Sequence, residues 1–116
     1  MSLGDLERRV MDILWATMDR DVMVREVADQ FPDHAYTTIM TVMSRLAAKG
    51  FLVETKIGRN NSFRARAPRE DYVTSLIMEA LSSAPDRHAV LARFAEELPP
   101  GDAHFFRKFL ARRPRD

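Results

Sequence analysis

The chain has 116 residues, 46% of them hydrophobic and 30% charged, with a formal net charge of +1 and no cysteine. That length supports one small core with a helical appendage, and the missing cysteine excludes disulfides, thiolate metal sites and cysteine nucleophiles. No apolar run approaches the roughly 18–20 residues that span a bilayer, and MSLGDLERR has no signal-peptide core, so a cytoplasmic protein without membrane association is expected.

Net charge alone says nothing about partners, but its distribution does. Residues 1–33 carry a balance of −4, and the residues from Pro68 onward are balanced. Between them, residues 34–67 hold Arg45, Lys49, Lys56, Arg59, Arg64 and Arg66 against Glu54 alone. A basic block inside an otherwise neutral or acidic chain is an electrostatic footprint with a location.

In chain order, Asp5 is the expected N-cap of a first helix, with Glu7 in its opening turn. Leu6, Val10, Ile13, Leu14 and Met18 recur at helical spacing, with Trp15 at the edge of the stripe. MDRDV ends that helix. A second follows at about 24–31 with Val27, Ala28 and Phe31 inward, and Pro32-Asp33 stops it. The third, from Tyr36 to Lys49, divides into two faces. Ile39, Met40, Val42, Met43, Leu46 and Ala47 lie on one side; Thr37, Thr38, Thr41, Ser44, Arg45, Ala48 and Lys49 lie on the other. The polar face lacks the Asp and Glu that a merely solvated helix mixes in. Its hydroxyls, methyls and cations suit phosphates and base edges. Gly50 stands where a left-handed residue ends a helix.

Three helices in this order, the last pair joined by a short turn, predict a helix-turn-helix. FLVETKI at 51–57 alternates like a strand, GRNN at 58–61 signals a turn, and SFRARA at 62–67 reads as the returning strand. The expected fold is therefore mainly α with a small β-hairpin wing, a winged helix over residues 1–67. Arg59, Asn60, Asn61 and Arg64 are expected on or near the wing tip, where backbone phosphate is their natural partner.

Beyond Pro68 the pattern is helical throughout. Helices are expected at about 70–83, from a cap at Asp86 to Leu98, and from a cap at Asp102 onward. Their apolar positions include Val73, Leu76, Ile77, Ala80, Leu81, Val90, Leu91, Phe94, Phe105, Phe106, Phe109 and Leu110. Three short helices cannot hide that much apolar surface among themselves. Part of it has the winged helix to pack on, and for the larger remainder residues 68–116 are expected to dimerise through Leu76, Ile77, Leu81, Val90, Leu91, Phe94, Phe105, Phe106 and Phe109.

The segments LGDLERRVMDILW, YTTIMTVMSRLAAKGFL and GRNNSFRARA resemble the BlaI/MecI penicillinase-repressor family. The likeness covers about residues 3–67, and the following helices match in size and order. It implies a dimeric bacterial repressor whose winged helix binds a palindromic double-stranded operator and whose C-terminal helices make the homodimer. Carried over, the family's recognition helix puts Thr37, Thr38, Thr41 and Arg45 at the DNA, with Arg59 on the wing. Two departures follow. Members governed by a sensor protease are cut at an Asn-Phe bond, and the corresponding position here is Arg93-Phe94, so an upstream protease is not identified. The copper-responsive branch carries a cysteine-rich tail, which this chain lacks.

Other chemistry finds little support. His34, His88 and His104 have no ligand partner at i+3 or i+4, no phosphate-cradling glycine motif occurs, and no local nucleophile motif occurs. No enzyme activity, cofactor or metal is expected. Met11, Met18, Met40 and Met43 are read as core filler on buried stripes. The alternative that keeps the same fold is a winged helix serving as a protein-interaction module without specific DNA binding. Steep salt dependence separates the two.

Overall fold

The computed structural model describes residues 2–114, with residue 57 by its backbone alone. Helix α1 (Asp5–Ala16) leads through strand β1 (Val22–Met23) into α2 (Val24–Ala28) and α3 (Tyr36–Ala48). The hairpin β2 (Leu52–Ile57) and β3 (Asn60–Ala65) follows, then α4 (Arg69–Ser82), α5 (Arg87–Glu97) and α6 (Pro100–Arg112). The sheet is antiparallel in the order β1-β3-β2. The mainly helical chain with its basic hairpin matches the winged helix-turn-helix expected from the sequence.

One stripe from each helix builds the core. Val10, Met11 and Leu14 of α1 meet Val24 and Val27 of α2, and Ile39, Met43 and Leu46 of α3; Phe31, Leu52 and Phe63 close the cluster. Full burial of each large aliphatic or aromatic side chain contributes about 1.5–3 kcal/mol, so α3 is held chiefly by its inner face and its outer face is free for other use. Met40 departs from the expected core: it is 40% exposed and lines a cleft described below.

Local chemistry moves several element ends. Gly4, not Asp5, is the N-cap of α1, and its N–H donates to Glu7 Oε1 at 3.0 Å. Asp5 and Glu7 occupy the first turn, where negative charge complements the helix dipole. Helix α2 stops at Ala28, short of Phe31. Its start is held by Glu26, which accepts from the Met23 N–H at 3.1 Å and pairs with Arg20 at 2.8 Å. Asp86 does cap α5, accepting from the Ala89 N–H at 3.1 Å. Helix α6 begins earlier than expected, with Pro99 as N-cap and Asp102 inside the first turn.

The hairpin is tighter than the four-residue turn expected. Ile57 pairs with Asn60, leaving Gly58-Arg59 as the two turn residues, and Gly58 has φ +63°. A left-handed glycine at the first central position matches the twist of the flanking strands. β1 has no counterpart in the sequence reading. It exists through Val22 and Met23 pairing with Phe63 and Ser62, which fixes the wing to the segment before α2.

The chain forms two compact units, Met1–Leu76 and Ile77–Asp116. The first turns of α4 therefore pack with the winged helix, which takes up part of the apolar surface that follows Pro68. Tyr72 is the reason. It is buried, stacks on Trp15 at 5.5 Å and meets Phe51 edge-on at 5.8 Å. Its hydroxyl accepts from the Leu3 N–H at 2.8 Å. Arg69 covers Trp15 and stands 3.1 Å from Asp12.

In the second unit no residue of α5 or α6 is buried. Ile77, Leu81, Leu91, Phe94 and Phe106 line an open apolar hollow of about 570 Å³, and Phe105 stacks on Phe109 at 6.1 Å. Leu76 belongs to the first unit and is partly covered. The Arg93-Phe94 bond lies inside α5.

Candidate nucleic-acid interface

With Ile39, Met43 and Leu46 fully enclosed, the opposite side of α3 is fixed toward solvent by helical geometry. Thr37, Thr38, Thr41, Ser44 and Arg45 are all exposed. Thr37, Thr41, Arg45 and Lys49 follow one another at intervals of four and form a single row. Ala35, the N-cap, supplies no capping side chain, and no acidic residue lies in the first turn. The positive end of the helix dipole is thus left without a carboxylate of its own. At the other end Gly50 adopts φ +90°. The Phe51 N–H then returns to the Leu46 carbonyl at 2.9 Å, which turns the chain sharply from α3 into the wing.

The basic residues of this region fall into two groups. Lys49 Nζ lies 2.6 Å from Glu7 Oε2, and Arg64 Nε lies 3.0 Å from Asp21 Oδ1. Arg64 is opposite Val53 within the hairpin, so it is not at the tip. Arg66 donates to the Gly50 carbonyl at 3.1 Å. Among the described residues, no carboxylate lies within ion-pair distance of Arg45, Lys56 or Arg59. The lone acid of the block, Glu54, accepts from Asn61 Nδ2 at 2.6 Å. Arg59 is at the turn and Asn60 begins β3.

The wing turn faces the start of α3 across a cleft of about 270 Å³ lined by Arg25, Tyr36, Met40, Arg59, Asn60 and Asn61, with Met23 and Val24. The Arg25 guanidinium sits 4.6 Å above the Tyr36 ring. Arg25, Tyr36 and Met40 were not singled out as site residues from the sequence. Arg25 lies in the acidic N-terminal segment, and Tyr36 opens the helix before its polar row begins. Only the strand pairing through β1 brings them to the wing.

The sequence profile described as penicillinase repressor matches residues 3–112. The chain is also similar to "Transcriptional regulator BlaI" from two strains of Mycobacterium tuberculosis, CDC 1551 / Oshkosh and ATCC 25618 / H37Rv. Each is 37% identical over 114 residues, covering 94% of this chain and 83% of the relative. A match over nearly the whole chain, on a fold with an acid-free helix face beside a basic wing, settles the assignment: this chain belongs to the penicillinase repressor family and is a transcriptional regulator, not an enzyme.

Proposed function

We propose that this protein represses transcription by binding double-stranded DNA sequence-specifically, as a homodimer on a palindromic operator in the cytoplasm. Helix α3 enters the major groove. Thr37, Thr38, Thr41 and Arg45 read or approach base edges there, while Lys49, Arg59, Asn60 and Arg64 engage the backbone. The observation that carries the reading is the exposed acid-free row of α3 (Tyr36–Ala48), with no carboxylate of the described residues within ion-pair distance of Arg45 in that row or of Arg59 on the wing turn. A surface used for another protein gains nothing from excluding every carboxylate; a surface for a polyanion does.

The apolar side chains of the second unit supply the dimer contacts. Val90, Leu91, Phe94, Phe105, Phe106 and Phe109 each remain 41% exposed or more in the single chain. Solvating so many large apolar groups on one small unit is unfavourable, and a second copy covers them with matching chemistry. Two copies about a two-fold axis present their α3 helices to half-sites about one helical turn, or a multiple of it, apart. Selection of genomic fragments on the purified protein should return an inverted repeat. Recovery of fragments without sequence preference at physiological salt would remove the proposal. No helix among the described residues is long and apolar enough to cross a membrane.

A further inference from the structure

Cations, amides and exposed apolar side chains converge in the cleft between the wing turn and the start of α3. Arg25 and Arg59 bring two guanidinium groups, neither within ion-pair distance of a carboxylate among the described residues. Asn60 adds an amide, and the uncapped start of α3 adds the positive end of a 13-residue helix. Beneath them lie the Tyr36 ring and Met40, which are 39% and 40% exposed. Two guanidinium groups lining one cleft repel each other, and an anion bound between them relieves that repulsion.

The mixed lining narrows the anion. A free inorganic phosphate or sulfate uses the cations and leaves Tyr36 and Met40 in water. A phosphodiester in a nucleic-acid strand brings both parts: a charged phosphate for the guanidiniums and a deoxyribose whose apolar face rests on the ring and the thioether. The Tyr36 ring also holds Arg25 in place. A guanidinium stacked on an aromatic face keeps its edge donors free while losing torsional freedom, which favours fork-like contact to phosphate oxygens.

We propose that Arg25 and Tyr36, with Arg59 and Asn60, form a clamp for one DNA backbone phosphodiester beside the major-groove segment read by α3. This rests on the DNA-binding reading above and adds to it a positioning contact from α2, outside the basic block. The clamp fixes the register of α3 in the groove. It contributes to all sequences alike, because phosphate carries no base identity.

The test compares wild type with Arg25→Ala, Arg25→Lys and Arg45→Ala on operator and random duplexes over a range of salt. Arg25 is exposed, and unchanged circular dichroism and melting establish that each variant folds. Arg25→Ala should weaken binding to both duplexes by on the order of ten-fold, as loss of one charge-assisted contact does. It should also lower the salt slope by about one and leave the operator preference intact. Arg25→Lys should restore the slope but not the full affinity, since an ammonium lacks the stacked fork. Operators carrying a single neutral methylphosphonate, moved along the strand, should show one position at which wild type weakens and Arg25→Ala does not.

Wild-type binding to the operator with Arg25→Ala equal to it in affinity and slope would overturn the clamp while leaving the repressor reading standing. Displacement of DNA by inorganic phosphate at constant ionic strength, in wild type but not in Arg25→Ala, would make the cleft a free-anion site and overturn the clamp as well. Wild type without any sequence preference would overturn the repressor reading first and the clamp with it.

Discussion

Lys49 Nζ and Glu7 Oε2 stand 2.6 Å apart, joining the end of α3 to the first turn of α1 across 42 residues of sequence. The lysine, with the Gly4 N–H second, holds the Glu7 carboxyl below its ordinary range. A carboxylate whose pKa is lowered on folding stabilises the fold above its unfolded value and loses that contribution as pH falls through the folded one. Thermal melts from pH 7 down to about pH 3 should therefore show wild type losing stability that Glu7→Gln never had. At neutral pH the difference should be near 0.5 kcal/mol, the size of a partly exposed pair.

The same pair ranks the cations for DNA. Lys49 must leave Glu7, and Arg64 must leave Asp21, before either serves a phosphate fully, whereas among the described residues no carboxylate lies within ion-pair distance of Arg45 or Arg59. Binding measurements on single alanine variants should show Arg59→Ala costing more affinity than Lys49→Ala or Arg64→Ala. Arg59→Ala should weaken all sequences alike and flatten the salt slope. Thr38, Thr41 or Arg45 changed singly should cost on the order of 1–3 kcal/mol and relax preference at particular operator positions. Specificity changes from the wing and uniform losses from the helix would reverse the assigned roles.

Gly50 offers a test of the turn that aims the wing. A methyl at its Cα position meets nothing within 4 Å, so packing does not forbid alanine there. Its φ of +90° does. Gly50→Ala should lower stability by about 1–2 kcal/mol in chemical denaturation, the cost of left-handed backbone for an L-residue. Asn, better tolerated in that region, should cost less. Equal stability of Gly50→Ala and wild type would mean that the turn relaxes to another path.

Periodicity made α3 legible because Ile39, Met43 and Leu46 recur at helical spacing and the polar row opposite them contains no acid. It failed at Met40, since an apolar residue at the rim of a stripe fits either a core or a cleft, and only the wing's position decides. β1 was invisible for a related reason: two residues show no alternation, and Val22 and Met23 become a strand only by pairing with β3. The ion pairs of Lys49 and Arg64 are long-range and leave no local spacing to read. At α1 and α6 the expected caps lie inside the first turn. An aspartate near a helix start serves the dipole as well as the cap, and sequence does not separate the two roles.

Tyr72 changes what a truncation should reveal. Ending the chain after Ala67, at the boundary expected from sequence, removes the ring that packs on Trp15 and Phe51 and accepts from the Leu3 N–H. Ending it after Leu76 keeps the first compact unit. Burial of one aromatic side chain contributes about 1.5–3 kcal/mol, so the shorter fragment should melt at lower temperature by a corresponding amount. The longer fragment should be a folded monomer that binds a half-site weakly. It lacks the second copy, and with it the gain in effective concentration that tethering two heads supplies. In the intact chain, Phe106→Asp or Phe109→Asp places a carboxylate on the exposed apolar surface of the second unit. A charge there opposes burial against a partner, so secondary structure should persist while sedimentation shifts toward monomer and operator affinity falls. A dimer interface of ordinary size covers about 800 Å² on each partner, enough for one buried aspartate at its centre to separate the copies. Wild type sedimenting as a monomer at micromolar concentration would remove the dimer role of these helices.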